Sequence, residues 1–236
     1  MEKIKKLASI IDNSNNIVFF GGAGVSTESG IKDFRGENGL YKSDKPVEYY
    51  LSRDCFYNEP KVFFDFYKKN MNFLKICPNI THKYLANLEK SSKLKAIITQ
   101  NIDGLHQKAG SQNVLEIHGT IYKNHCIKCH KEYSALDVIK AKGIPKCICG
   151  GIIKPDVVLY GEMLPDCFDL AINYIKKCDT LIVAGTSLRV FPASNLINYF
   201  NGKNLIIINK EATPYDIYAN IVIHDNLKNV ISKLKI

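Results

Sequence analysis

Six short, mostly apolar runs recur along this chain, at residues 17–20, 96–99, 114–117, 180–184, 205–208 and 221–223. A strand buried on both faces reads as a near-continuous apolar run, and such strands alternating with helices build a parallel sheet covered on both sides. Amphipathic spacing supplies the helices. Residues 2–12 place Ile4, Leu7, Ile10 and Ile11 on one face, residues 61–74 carry Phe63, Phe66, Tyr67 and Phe73, and residues 80–88 and the chain end complete the set. Residues 36–60 are irregular and aromatic-rich, which predicts a long loop with short helices of the functional kind.

In open parallel sheets ligands bind beyond the carboxyl ends of the strands. Here those ends carry Gly22-Ala23-Gly24, Gln100-Asn101-Ile102-Asp103, His118-Gly119, Gly185-Thr186-Ser187 and Asn209-Lys210-Glu211. Small and polar residues thus gather on one rim, which is the expected active site. A glycine turn after a buried strand is either a phosphate cradle or a ligand-free tight turn. The strict dinucleotide fingerprint fails, because Gly22 and Gly24 fit but the third glycine position is Thr27. No strand ending in an acidic residue follows about 20 residues on. An ordinary dehydrogenase is therefore disfavoured. His118 is either a satisfied strand-end histidine or a base that titrates near neutrality.

Residues 120–160 break the alternation with Cys126-Ile127-Lys128-Cys129 and Cys147-Ile148-Cys149. Two close thiol pairs suit the tetrahedral shell of one structural zinc, with four buried thiols or a redox pair as the alternatives. His125 and His130 flank the first pair and are expected to be solvated neighbours. Of the eight cysteines, Cys55, Cys77, Cys167 and Cys178 remain, and all four are expected to be buried. So many thiols without a disulfide framework point to a reducing compartment. Residues 1–7 turn amphipathic at once and no run reaches the ~18 apolar residues of a membrane span, so a cytoplasmic protein without membrane contact is expected. The net charge of +9 points either to acidic partners or to a lysine-rich solvated surface.

Taken together and in order, Gly22-Ala23-Gly24-Val25-Ser26, Asp33-Phe34-Arg35-Gly36, residues 99–103, His118-Gly119, the cysteine pairs and Gly185-Thr186-Ser187 resemble the sirtuin family of bacterial type. Sirtuins are NAD-dependent protein-lysine deacylases. The resemblance implies a Rossmann-like parallel sheet (residues 1–34, 76–119 and 156–236) with a smaller domain made of a helical module and a zinc ribbon (residues 35–75 and 120–155). It implies that His118 is the base, assisted by Asn101 and Asp103, with Asp103 holding the nicotinamide carboxamide. NAD would be bound by Gly22, Ala23, Gly24, Thr27, Phe34, Arg35, Gln100, Asn101, Ile102, Asp103, Gly185, Thr186, Ser187, Asn209, Lys210 and Glu211, and the residue that contacts adenine near Asp225 is left unassigned. The acyl-peptide would meet Tyr67 and the segment Val157-Val158-Leu159-Tyr160-Gly161-Glu162, which resembles the strand that pairs with substrate. One zinc per chain would sit on Cys126, Cys129, Cys147 and Cys149.

The implied reaction is deacetylation that releases nicotinamide, free lysine and O-acetyl-ADP-ribose, by a monomer acting on acylated-lysine proteins. Succinyl-preferring members carry Tyr-x-x-Arg in the helical module. Here Asn70 stands three residues after Tyr67, so succinyl turnover is expected to be weak unless Lys68 or Lys69 reaches the acyl carboxylate. The rivals are longer neutral acyl groups, mono-ADP-ribosyl transfer, and a zinc ribbon that binds nucleic acid. The last lacks a basic and aromatic cluster around the cysteines.

Overall fold

The computed structural model describes residues 2–33 and 45–234. Helix α1 (Glu2–Asn13) leads into β1 (Ile17–Gly21), and the chain then builds α2 (Val47–Tyr50), α3 (Arg53–Asn58), α4 (Pro60–Asn70) and α5 (Ile80–Lys90). Strand β2 (Leu94–Thr99), α6 (Leu105–Lys108) and β3 (Val114–Glu116) follow. The excursion β4 (Gly119–Cys126), β5 (Glu132–Ser134), α7 (Ala135–Lys140) and β6 (Ile153–Val157) comes next. The chain closes through α8 (Cys167–Lys177), β7 (Thr180–Ala184), β8 (Asn204–Ile208), β9 (Ile221–Ile223) and α9 (Leu227–Ile231).

The main sheet has six strands in the order β3-β2-β1-β7-β8-β9, and every pairing is parallel. From β1 the chain winds outward through β2 and β3, then returns to lay β7, β8 and β9 on the other side. The order reverses between β1 and β7, where the register runs from Ile17↔Thr180 to Gly21↔Ala184. Such a reversal opens a crevice at the strand tips. Alternate side chains fill opposite layers: Ile17, Phe19, Ile97, Ile182 and Ile206 pack on α1, α5 and α9, whereas Val18, Phe20, Ile98, Val183 and Ile207 face α8 and the 3-10 helix Ala193–Tyr199.

A second cluster joins α2–α4 to β4 and β6, through Phe56, Phe63, Phe64, Tyr67, Ile121, Ile153 and Val157. β4 pairs antiparallel with β5 and β6, forming a separate three-stranded sheet. Local chemistry sets several boundaries. Asn79 accepts from the N–H groups of Thr81 and His82 to start α5, Ser134 caps α7, and Pro60 opens α4 where no N–H is needed. Helix α4 ends at Asn70, earlier than its apolar stripe suggests; the Asn70 amide donates to Phe66 O at 2.9 Å and the Met71 N–H closes the last turn on Tyr67 O at 2.7 Å. Its buried stripe also includes Phe64, while Phe66 is half-buried. Among the described residues no helix is long and apolar enough to cross a membrane.

Candidate functional site

The rim is assembled around the tips of β1 and β7, which approach too closely for side chains. A Cβ on Gly24 would lie 2.7 Å from Gly185 Cα, and the Gly24 N–H donates to Gly185 O at 2.8 Å. A Cβ on Gly22 would meet Thr186 Cβ at 2.8 Å. The glycines therefore serve backbone-to-backbone contact across the crevice as well as any ligand. After them the chain forms two 3-10 turns, Ala23–Val25 and Thr27–Ser29, and the Thr27 hydroxyl donates to Gly24 O at 3.0 Å.

Below this turn lies a buried polar knot. The Ser26 hydroxyl donates to Asp103 Oδ2 at 2.6 Å, and Asn101 Nδ2 donates to Ser26 Oγ at 3.0 Å. The other Asp103 oxygen accepts the Leu105 N–H at 2.9 Å. Asp103 is only 3% exposed, and burial pushes its carboxyl pKa up, opposed by the Ser26 hydroxyl and the Leu105 N–H. Both oxygens are thus pinned, and each keeps a lone pair for a further donor. Ser26 is the residue that sequence reasoning missed. It was visible within the Gly22–Ser26 motif, but nothing local revealed that it bridges two residues of a distant strand tip.

Gln100 ties the remaining tips together. Its N–H donates to Gly21 O at 2.9 Å, its side-chain oxygen accepts the Thr186 hydroxyl at 3.3 Å, and its carbonyl lies 3.1 Å from His118 Nδ1. A carbonyl can only accept, so Nδ1 carries the proton and Nε2 is left with its lone pair. Burial lowers the His118 pKa, partly offset by that same carbonyl. His118 is thereby held neutral, oriented, and basic at one nitrogen. Further along the rim Gly185 N–H donates to Ile208 O at 3.0 Å, which sets Asn209 beside the β7 tip, while Lys210 and Glu211 extend into solvent. Ile102 packs against the second cluster, and its carbonyl accepts the Ile121 N–H at 3.1 Å. Phe34 and Arg35 lie outside the described residues.

The segment 157–162 leaves β6 beside His118: the Val158 N–H donates to His118 O at 2.9 Å. Tyr160 forms a parallel bridge with Ser52, and the Leu159 N–H donates to Glu162 Oε2 at 2.9 Å. Lys154 Nζ clasps Glu162 Oε2 at 3.1 Å together with the carbonyls of Pro155 and Val157. The Val158 carbonyl and the Gly161 N–H make no hydrogen bond among the described residues.

Tyr67 corrects an expectation. Its ring stacks on Phe63 inside the second cluster at 1% exposure, so it offers a substrate no surface. Burial also raises its hydroxyl pKa, with Asp156 adding to the effect. Helical periodicity marks an apolar stripe but does not distinguish a core from a pocket wall.

The four thiols of Cys126, Cys129, Cys147 and Cys149 lie within 4.8 Å of one another, with pairs at 3.4 and 3.5 Å. Thiolates about 2.3 Å from one ion sit roughly 3.8 Å apart, so the cluster fits a single tetrahedral zinc. The short second spacing works because Gly150 turns with φ +82° and Gly151 lies against the thiols, where a Cβ would meet Cys126 Sγ at 2.6 Å. His125 pairs with Asp156 instead, and His130 is exposed. Of the remaining cysteines, Cys55 and Cys178 are buried as expected, whereas Cys77 is exposed and Cys167 half-buried. Cys77 sits in the loop before α5, outside any apolar period.

Comparison with known proteins adds independent findings. A sequence profile described as the Sir2 family matches residues 22–192. A protein named NAD-dependent protein deacetylase from Clostridium perfringens (strain 13 / Type A) is 53% identical, with 99% of this chain and 98% of that protein covered. One of the same name from Staphylococcus aureus (strain COL) is 49% identical, with 98% and 97% covered. Among solved structures, a Sir2 complex with deacetylated p53 peptide and 3'-O-acetyl ADP ribose superposes with a TM-score of 0.92 at 37% identity, covering 97% of this chain and 96% of that one. A Sir2–p53 peptide–NAD+ structure gives 0.88 at 35% identity, with 98% and 96% covered.

Proposed function

Because the chain belongs to the Sir2 family, we infer that its strand-tip rim is the active site of an NAD-dependent protein-lysine deacetylase. The products are nicotinamide, free lysine and O-acetyl-ADP-ribose. The observation that carries this reading is the state of His118, whose Nδ1–H is taken by Gln100 O while Nε2 stays free on the same hydrogen-bonded rim as Asp103.

NAD, when bound, supplies the ribose carbon that parts from nicotinamide and the ribose hydroxyl that receives the acyl group. His118 Nε2 takes the proton of that hydroxyl as general base. Asp103, held by Ser26 and the Leu105 N–H, has lone pairs to accept a carboxamide N–H, and Asn101 stands beside it as the second member of the nicotinamide pocket. Gly22, Ala23, Gly24, Thr27, Gly185, Thr186 and Ser187 cradle phosphate and ribose around the β1–β7 crevice. Asn209, Lys210 and Glu211 take the adenosine end, and Phe34 and Arg35 are assigned to NAD by family resemblance alone.

The Val158 carbonyl and Gly161 N–H, without a partner among the described residues, support strand-like pairing with the peptide, a mode that reads backbone and leaves sequence choice loose. One zinc on the four cysteines braces the small lobe, because a complete thiolate shell leaves no position for water. We assign residues 1–34, 76–119 and 156–236 to the larger domain and residues 35–75 and 120–155 to the smaller one. It acts as a monomer in the cytoplasm, where a reducing environment suits a chain that carries eight cysteines and no disulfide among the described residues.

Acetyl is preferred over succinyl. Asn70 is neutral and turned onto Phe66 O, and the Lys68 ammonium is spent on the Ala141 and Gly143 carbonyls, so neither offers an acyl carboxylate the two-pronged charged contact of an arginine.

The test is incubation with NAD and an acetyl-lysine peptide, with mass detection of O-acetyl-ADP-ribose for wild type and His118→Ala. The acetylated product should form with the wild type and fall at least 100-fold in the variant. Nicotinamide release without acylated peptide would favour ADP-ribosyl transfer and overturn the reading.

A further inference from the structure

A cavity of about 450 Å³ opens beside the rim, with Leu188, Arg189, Phe191, Asn198, Tyr215 and Tyr218 in its walls, and none of the roles assigned above uses it. It is wired to the base. The Leu188 N–H donates to Thr186 Oγ1 at 3.3 Å, that hydroxyl donates to Gln100, and Gln100 O holds His118. Leu188 itself sits in the left-handed region at φ +54° although its branched side chain is buried, and backbone held in such a conformation clusters at functional sites. The walls are unusual for a surface. Phe191 is 68% and Tyr218 69% exposed, so large rings stand open to water. Among the described residues Arg189 is the one charged residue lining the cavity, it is exposed, and no carboxylate pairs with it.

A guanidinium with all its donors available recognises a carboxylate in a planar, two-pronged fashion. Open aromatic walls around it favour an apolar neighbour on the same chain. We propose that this cavity is an accessory substrate subsite, in which Arg189 receives a glutamate or aspartate of the substrate protein close in sequence to the acyl-lysine, while Phe191 and Tyr218 pack the apolar side chain next to it. The inference rests on the deacetylase reading and adds a substrate class to it: acyl-lysines with an acidic residue nearby.

The test walks a single glutamate, from about four residues before to about four after the acetyl-lysine, through one peptide, with glutamine and lysine at the same positions as references. KM and kcat are measured for wild type, Arg189→Gln and Arg189→Glu, with thermal melting to verify that the exposed substitutions leave the fold intact. At one position or two adjacent ones, glutamate should lower the wild-type KM about threefold to fivefold relative to glutamine, the range of an exposed ion pair. Arg189→Gln should remove that preference, and Arg189→Glu should reverse it so that lysine is preferred. The discrimination should fall on KM rather than kcat and shrink as salt is raised. The same peptide ranking in all three proteins, or no positional preference in the wild type, overturns the proposal while leaving the deacetylase reading standing. Absence of turnover with every peptide overturns the deacetylase reading itself.

Discussion

Gly119→Ala is the most exacting perturbation of this structure, because Gly119 joins the proposed base to the substrate-facing segment. Its φ is +76°, and a Cβ there would lie 2.0 Å from Asp156 O and 3.1 Å from Val157 Cα. Ordinary contact begins near 3.4 Å, so β6 must retreat from β4 by about 1.4 Å or Gly119 must leave its conformation. Either movement breaks the Val158 N–H to His118 O bond of 2.9 Å.

The left-handed backbone costs about 1–2 kcal/mol for alanine, and the lost hydrogen bond adds about 0.5–1.5 kcal/mol. The expected destabilisation is therefore about 1.5–3.5 kcal/mol, which for a chain of this size lowers Tm by roughly 3–14 °C. A shift of order 1 Å at the base should cost about 100-fold in kcat/KM for an acetyl peptide. Gly143→Ala is the matched control, since Gly143 has φ +66° but nothing within 4 Å of its Cβ. It should show only the backbone cost, about 1–2 kcal/mol, with activity unchanged. Differential scanning fluorimetry and peptide kinetics on both variants decide the matter. Equal melting shifts for the two, or full activity in Gly119→Ala, would refute the reasoning.

Three further outcomes are expected. Lys154→Ala frees Glu162 and two carbonyls, so it should destabilise the chain by about 1–3 kcal/mol and raise the peptide KM, with Lys154→Arg restoring part of both; an unchanged KM counts against the clasp. Cys147→Ser, or chelation, should take zinc from one per chain to none by elemental analysis and lower Tm, since a structural zinc contributes directly to folding. Acid should act in two ways. Burial holds His118 below its ordinary value, so the acid limb of kcat/KM should lie below pH 6.5. Burial also lowers His82 from 6.5 to about 4 and His106 well below 6.5, so the unfolded chain binds more protons in that window. Stability is then complete above pH 6.5 and falls toward pH 4, by about 1.4 kcal/mol per unit for each such histidine. Equal denaturant midpoints at pH 7 and 5 would contradict this.

Much of the molecule was legible from local pattern alone. The strands 180–184 and 221–223 match their apolar runs residue for residue, because a strand buried on both faces admits little else. The rim followed from those runs, since parallel strands all end on the same side, and the metal ligands followed from spacing, since two close thiol pairs need little chain between them to converge. What the residues by themselves determined was thus the sheet, the edge where small and polar residues gather, and the four thiols.

Tertiary packing decided the rest. Ser26 meets Asp103 across 77 residues because the β1 turn and the β2 tip are neighbours in the sheet, and no period in the chain announces that meeting. Tyr67 belongs to the core rather than to a pocket because β4 and β6 pack over α4. The proton on His118 sits at Nδ1 because the Gln100 carbonyl is turned toward that nitrogen. Each of these depends on which surfaces are pressed together after the strands have paired, and a linear pattern records which residues are apolar or polar, not what they will face.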